Sequence, residues 1–444
     1  MKSEKDKHKE GLRAIAESLK RIEDILSMLP GEVAKDMRAK LGQIRGVVLE
    51  QRPPALVLVG RRGAGKSSLV NALFGAKVAD VGHVKAETAR GKWYEYENDR
   101  GALAILDTRG LQEGSLPEGA EKDKSALEAV LFEVRKQAPD VILFLAKATE
   151  VDAAIDSDLE DLESIMQEIE RAHKFKPPII GVVTHCDVLE PKNTPLHDEA
   201  KADAGDLREK HVHVAQAERH LEQKLRARGA IGAKLEAVRG ISSYLSFRED
   251  GTQRSDERWR IEDLAQLLFR HIPDAGRGMF VRIARVRGLQ EQLASDITRT
   301  TAAICAGIAA VPIPVADIIP ITSLQVSLIA IIAWLGGRAL DPKAAGEFLG
   351  AMGVNVGVAF AFREGARALI KFVFPGAGSA ISSVVAFAGT MAIGRAARTY
   401  FLQNSTIEEA KKAFEDERAT AKPEEEEAEA SAVKAPDEKD APKP

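Results

Sequence analysis

The sequence predicts an α/β domain with a mostly parallel sheet, flanked by an N-terminal helical segment and a C-terminal all-α domain. Three observations carry that expectation. Between residues 55 and about 275, short apolar runs alternate with amphipathic stretches, the pattern of successive βα units. A glycine loop, "GRRGAGKS" from Gly60 to Ser67, separates the first apolar run from a helical pattern. Outside this region the apolar residues recur three or four apart or form long runs almost without charge, which is helical patterning.

Taken in chain order, residues 1–52 come first. Leu12, Ile15, Leu19, Ile22, Leu26 and Leu29 make one stripe on a helix that stops near Pro30-Gly31, and a second helical stretch runs to about Arg52 before Pro53-Pro54. A helical hairpin on a neighbouring domain accounts for this, and so does a dimerising coiled coil, for which the stripe is short. Residues 53–275 hold the strand candidates "ALVLVG", "GKWYEYE", "ALAILD", "VILFLAKA", "PIIGVVTHCD" and "LEAVRGISS". Residues 276–402 form the helical, apolar C-terminal domain. Residues 403–444 read as a short helix and then a charged tail. From about 420 the Ala, Pro, Glu and Lys of that tail cannot bury a core, so disorder is expected.

Composition narrows the classes. At 444 residues the chain has room for two to three domains, and 45% hydrophobic with 29% charged residues is ordinary for globular protein. A net charge of −4 argues against non-specific nucleic-acid binding by the whole chain. Cys186 and Cys305 have no paired spacing, so neither a disulfide framework nor a metal site is implied, which suits a reducing, cytoplasmic compartment. The N-terminal "MKSEKDKHKE" is charged and lacks an apolar signal core.

The chemistry lies in five ordered stretches. In G-x-x-x-x-G-K-S, filled here by Gly60, Arg61, Arg62, Gly63, Ala64, Gly65, Lys66 and Ser67, with Ser68 next, backbone N–H groups converge on phosphate oxygens and the following helix N-terminus adds partial positive charge. Lys66 would reach the β- and γ-phosphates, and the Ser67 hydroxyl would ligate Mg²⁺. Thr88, in "VKAETARG", can close over that Mg²⁺ through its hydroxyl. In "DTRG", Asp107 can hold a water of the Mg²⁺ shell and Gly110 can offer its N–H to the γ-phosphate, so the loop senses whether that phosphate is present. In "THCD", Thr184 to Asp187, the carboxylate can accept the N1–H and N2–H₂ donors of guanine, a pair adenine lacks. In "GISS", Ser242 and Ser243 are small enough to approach the base edge.

In this order the five stretches resemble a GTPase of the translation-factor-related class, Era-like in particular, a group for which "GKSSLVNALFG" is typical. The resemblance implies a P-loop GTPase domain with GTP as substrate, Mg²⁺ as cofactor and GDP as product. Two departures stand out. His185 occupies the place where the family's N/T-K-x-D has a lysine packing on the purine, and an imidazole can stack there instead. Gly63 stands where potassium-activated relatives carry asparagine, so potassium activation is not implied; "G-x-x-G-x-G-K-S-S" is closer to interferon-inducible and septin-like branches. In Ras-like switches a glutamine after D-x-x-G orients the attacking water; here that position is Leu111, so slow intrinsic turnover is expected unless a partner or dimerisation helps. Arg62, nearest the γ-phosphate, could stabilise transition-state charge in its own site or across a homodimer. Arg61 and Arg62 read equally as solvated loop charges.

The C-terminal third raises a second question. From Thr300 to Gly337 the one charge is Asp317, and from Phe372 to Gly394 there is none. About 20 apolar residues suffice to cross a bilayer. Arg282, Arg285, Arg287, Arg299, Arg338, Arg395 and Arg398 flank these stretches, which suits insertion from the cytoplasmic side. Pro312, Pro314, Pro320, Gln325 and Asp317 suit a buried helical bundle in water as well. Residues 296–401 resemble a bacterial helical domain of unknown function that follows Era-like GTPase domains and is regarded as membrane-associated. Three functions follow: a GTP switch attached to a membrane through residues 296–402 and acting on an unknown protein effector; a dynamin-like GTPase that remodels membranes, its stalks drawn from residues 1–52 and 276–402; and a ribosome-associated GTPase. The third lacks a basic, aromatic-interleaved RNA-binding module.

Overall fold

The structure, a computed structural model, describes residues 4–27, 31–77, 93–98, 101–108, 121–152, 155–284, 286–310, 318–340, 342–353 and 383–433. It divides into two compact units, one of residues 52–286 and one that joins residues 1–51 to residues 287–444.

In the joined unit, α1 (Glu4–Leu26) and α2 (Gly31–Val48) pair as a hairpin. The predicted stripe of Ile15, Leu19, Ile22 and Leu26 is buried, as are Met37, Leu41, Ile44 and Val48 of α2. Arg45 Nη1 of α2 lies 2.8 Å from Glu23 Oε1 of α1.

The α/β unit is built on one six-stranded sheet. Its strands are β1 (Ala55–Val59), β2 (Trp93–Asn98), β3 (Gly101–Asp107), β4 (Val141–Lys147), β5 (Ile179–Thr184) and β6 (Leu235–Gly240), in the order β2-β3-β1-β4-β5-β6. The β2–β3 pair is antiparallel and every other pair is parallel. β1, β4 and β5 are Val-, Ile- and Leu-rich and buried along their length, as strands covered on both faces must be. Connecting them are α3 (Lys66–Phe74), α4 (Glu121–Lys136), α5 (Asp156–His173), α6 (Ala204–Ala227) and the short α7 (Gly229–Gly232). Arg52 grips Asp140 with both terminal nitrogens, and Asp140 also accepts the Ala55 N–H at 2.8 Å, which fixes the start of β1. The two-stranded hairpin β7 (Leu245–Phe247) and β8 (Gln253–Asp256) follows β6. Its Asp250-Gly251 turn was the available signal for a strand pair that the periodicity did not suggest.

The boundary read at residue 275 falls later in the structure. After α8 (Ile261–His271), α9 (Asp274–Ala284) packs on β3 and α3, so the α/β unit extends to Val286. The helical unit continues with α10 (Arg287–Ala309), α11 (Ile318–Leu335), α12 (Pro342–Ala351), α13 (Ser383–Phe401) and α14 (Ile407–Val433). α11 is contacted by α1, α10, α12 and α13, and every one of its residues from Pro320 to Leu335 is buried, which is why it is apolar all round. Gln325 Nε2 meets Thr390 Oγ1 at 2.8 Å inside the bundle. Among the described residues no helix is long and apolar enough to cross a membrane. Arg398, read in sequence as a flank of an apolar stretch, is instead buried in the bundle with Nη1 3.8 Å from Glu291 Oε2, and burial pushes its guanidinium below the usual arginine range. α14 reaches Val433, beyond the short helix expected, because Ala, Glu and Lys are strong helix formers even where no core is available. Residues 434–444 lie outside the described residues.

Candidate functional site

The carboxyl ends of the parallel strands gather the predicted residues. β1 ends at Val59 and the chain turns through Gly60–Gly65 into α3, with β3 on one side of β1 and β4 on the other. That reversal of strand order is where an open α/β sheet offers its crevice. Gly60 passes directly against the Leu145 carbonyl, where a Cβ would collide, and Gly65 caps α3 in the left-handed conformation with φ 84°. Both positions therefore require glycine.

Lys66 is buried and folded back on the loop. Its Nζ donates to the Gly60 carbonyl and, at 3.0 Å, to the Arg61 carbonyl, and lies 3.9 Å from Asp107 Oδ1 at the end of β3. The Ser67 hydroxyl is buried with no hydrogen-bond partner in the protein. An orphaned hydroxyl one residue after the loop lysine fits a hard cation that takes few protein ligands. Arg61 is fixed: its Nε lies 2.8 Å from Oδ2 of Asp158, in the first turn of α5, whose carboxyl is pushed up by burial and drawn back by Arg61. Arg62 is exposed on the loop.

The end of β5 closes over the same loop. Thr184 Oγ1 donates to the Ala64 carbonyl at 3.0 Å. His185, in the left-handed region at φ 57°, sets its ring against Gly65, and its Nδ1 lies 3.0 Å from Thr184 Oγ1. Burial, with Lys147 nearby, pushes the His185 imidazole below its ordinary range, against the pull of Asp187 and Glu150. Asp187 is half-buried beyond it. Its backbone carbonyl accepts from Lys210 Nζ at 2.7 Å, and that ammonium also donates to the carbonyls of Pro191 and Thr194. Lys210 thus clamps the loop that follows Asp187, a role no sequence pattern announced. Ser242 and Ser243, after β6, are buried; the Ser242 backbone exchanges hydrogen bonds with Trp259, and the Ser242 hydroxyl is left without a protein partner. Gly240 N–H donates to Glu218 Oε1 at 2.6 Å, so α6 braces this loop too.

The structure therefore brings together Gly60 to Ser67, Asp107, Thr184, His185 and Asp187 at the carboxyl ends of the parallel strands, with Ser68 in the first turn of α3 and Ser242 and Ser243 following the adjacent strand β6. Thr88 and Gly110 lie outside the described residues, as does Leu111. Sequence reasoning missed Asp158, Lys147, Lys210, Glu218 and Trp259. Lys147 had a faint signal, a charge closing the apolar run "VILFLA". Among the described residues no cluster of three or more His, Cys, Asp or Glu is arranged to hold a metal ion.

Residues 55–185 match the family model described as 50S ribosome-binding GTPase. The tRNA modification GTPase MnmE of Vibrio vulnificus is 34% identical over 139 residues, covering 30% of this chain and 29% of that protein. The uncharacterized protein YfjP of Escherichia coli is 30% identical over 177 residues, covering 39% of this chain and 54% of that protein. The chain thus spans between under a third and about half the length of these curated relatives. Among solved structures, Arabidopsis thaliana Toc33 in complex with Mg²⁺ and GMPPNP aligns at TM-score 0.33 and 16% identity, over 59% of this chain and 96% of that one. Aquifex aeolicus Era bound to GDP and AlF4⁻ aligns at TM-score 0.31 and 18% identity, over 57% and 68%. Residues 55–185 carry the P-loop GTPase signature in both sequence and strand order.

Proposed function

We propose that the α/β unit binds GTP with Mg²⁺, hydrolyses it to GDP and phosphate, and that the helical unit is what the nucleotide state controls. The observation that carries this reading is the meeting of two chemistries at the carboxyl ends of the parallel strands. A phosphate loop with an orphaned Ser67 hydroxyl is held by the same β5 end that presents Asp187. Loop N–H groups and Lys66 would neutralise the phosphates. Ser67 and Asp107 would hold Mg²⁺, which supplies charge stabilisation at the β- and γ-oxygens. Asp187, with its loop clamped by Lys210, would accept guanine N1–H and N2–H₂.

Calorimetry tests the base of this reading. GTP should bind and ATP should not; Lys66→Ala should abolish binding; Asp187→Asn should transfer preference to xanthosine nucleotides. Equal affinity for ATP and GTP in the wild type would sink it.

We further propose that the protein is a switch at the cytoplasmic face of a membrane, attached through residues 296–402. The support is the composition of residues 372–394, which carry no charge, and of residues 300–337, where Asp317 is the one charge. Because α11 is already enclosed by its neighbours, attachment must use the bundle's surface or an opened bundle. Full-length protein that fails to float with liposomes in any nucleotide state would refute the attachment. The membrane-remodelling alternative gains one observation: the N-terminal hairpin and the C-terminal helices form one body, the arrangement a stalk drawn from both chain ends needs. Nucleotide-dependent tubulation of the liposomes separates it from a simple switch.

A further inference from the structure

Lys147 closes β4 and stands opposite Thr184 on β5 in the parallel register. Its side chain turns toward the phosphate loop and packs on Gly63. A Cβ built on that glycine would stand 3.4 Å from Lys147 Nζ and 3.5 Å from Cε. The ammonium is braced by Glu150 Oε1 at 2.8 Å, and the Glu150 backbone N–H in turn donates to the Lys147 carbonyl at 2.9 Å. Three consecutive loop residues are therefore met by three residues of two neighbouring strand ends: Gly63 by Lys147, Ala64 by Thr184, Gly65 by His185.

The contacts differ in charge. Thr184 is neutral, and burial pushes the His185 imidazole below its ordinary range. A triphosphate wedged against this loop needs fixed positive charge at short range, where a low local dielectric strengthens it. Lys66 supplies one cation; Arg61 is paired with Asp158, which is buried, whereas the Glu150 that pairs with Lys147 is more exposed. Lys147 is the cation that touches the loop from the side of the base-reading strand. Its proximity to position 185 also explains the imidazole there, since two ammonium groups at adjacent strand ends would repel.

Resting on the GTP reading above, we infer that Lys147 is a positioning residue of the nucleotide site. Its ammonium, held by Glu150, fixes the phosphate loop at Gly63 and places a lysine's positive charge at the end of β4 beside the end of β5, where position 185 carries an imidazole.

The test is to move the charge. In full-length protein, GTP and GDP dissociation constants are measured by calorimetry for wild type, Lys147→Met, Lys147→Arg and the double variant Lys147→Met with His185→Lys, with thermal midpoints recorded for each. Lys147→Met should weaken both nucleotides by about ten- to a hundredfold, Lys147→Arg by under tenfold, and the double variant should return to within a few-fold of wild type. Recovery on relocating the ammonium one strand over is not what a packing role would produce. Wild type that binds GTP together with Lys147→Met within threefold of it overturns this inference alone. So does a loss that His185→Lys leaves unrepaired. Should Lys147→Met not fold, Lys147→Gln replaces it with the same expectations. Wild type that binds no guanine nucleotide overturns the GTP reading and this inference with it.

Discussion

The Thr184 hydroxyl hydrogen-bonds the Ala64 carbonyl across 3.0 Å, joining the base-reading strand end to the phosphate loop with a single buried bond. Thr184 is fully buried and its Oγ1 is also within 3.0 Å of His185 Nδ1. With the hydroxyl hydrogen directed at Ala64, the imidazole must donate from Nδ1 to Oγ1, which leaves Nε2 as the acceptor. One side chain thus joins the Gly60–Ser67 loop to the end of β5.

Thr184→Val keeps the shape and removes the bond. It leaves the Ala64 carbonyl and the His185 Nδ1–H unsatisfied, a cost of about 1–3 kcal/mol. GTP and GDP affinity should both fall about tenfold, since the loop is equally displaced for either nucleotide. Calorimetry that finds GTP weakened and GDP untouched would place the effect at the γ-phosphate instead.

His185 makes stability pH-dependent in a defined direction. Burial holds the folded imidazole below its ordinary 6.5, against Asp187 and Glu150 and with Lys147. Between the two values the unfolded chain binds the proton more readily than the folded one. The stabilising contribution is therefore complete above pH 6.5, shrinks as pH falls below it, and is gone once pH has dropped through the folded value. The melting temperature of nucleotide-free protein should fall more between pH 7.5 and 5.5 in wild type than in His185→Gln, by about 1–3 °C. Parallel curves for the two proteins would show that His185 takes up no proton differentially.

Both thiols should be inert in the folded protein. Burial pushes Cys186 up to about 12, with Glu218 adding to the rise, and burial does the same for Cys305. The thiolate is the reactive form, so at pH 8 it is almost absent. Iodoacetamide should leave both unmodified by mass spectrometry until denaturant is added. Fast native labelling of Cys186 would mean that the end of β5 opens readily.

The α/β unit was largely legible because its signals are local. The run Ala55–Val59 followed by Gly60–Ser67 specifies a strand, a turn and a helix within 20 residues, and the six apolar runs all became strands. The placement of Asp107, Thr184 and Asp187 at or just after strand ends was legible for the same reason. What escaped is what depends on pairing distant segments. Ile15 and Leu19 announce a helix face but not its partner, and the burial of α1 against α11 joins residues some 300 apart in sequence. The uniform apolarity of α11 is the same whether lipid or protein surrounds it; only the packed neighbours distinguish the two. Lys147 and Lys210 escaped because a lysine's role lies in which carbonyls or loops its long stem reaches, and the stem's direction is a tertiary property.

The last prediction concerns hydrolysis. Leu111 lacks a hydrogen-bonding group with which to orient water, so slow turnover by the isolated molecule is expected, and a cation that stabilises the transition state would raise it. The two loop arginines are no longer equivalent. Arg61 is bound to the buried Asp158 carboxylate, and moving it would strand that charge. Arg62 is exposed on the same loop. We propose Arg62 as the transition-state cation, delivered in a dimer of two α/β units. The turnover per molecule should then rise with protein concentration, and Arg62→Ala should lower kcat by roughly 10²-fold or more while GTP affinity stays within a few-fold. Arg61→Ala should instead lower stability and affinity together, because it frees Asp158 and loosens the loop. A rate independent of concentration and indifferent to Arg62→Ala would reject the dimer and leave an external activating protein as the source of the missing charge.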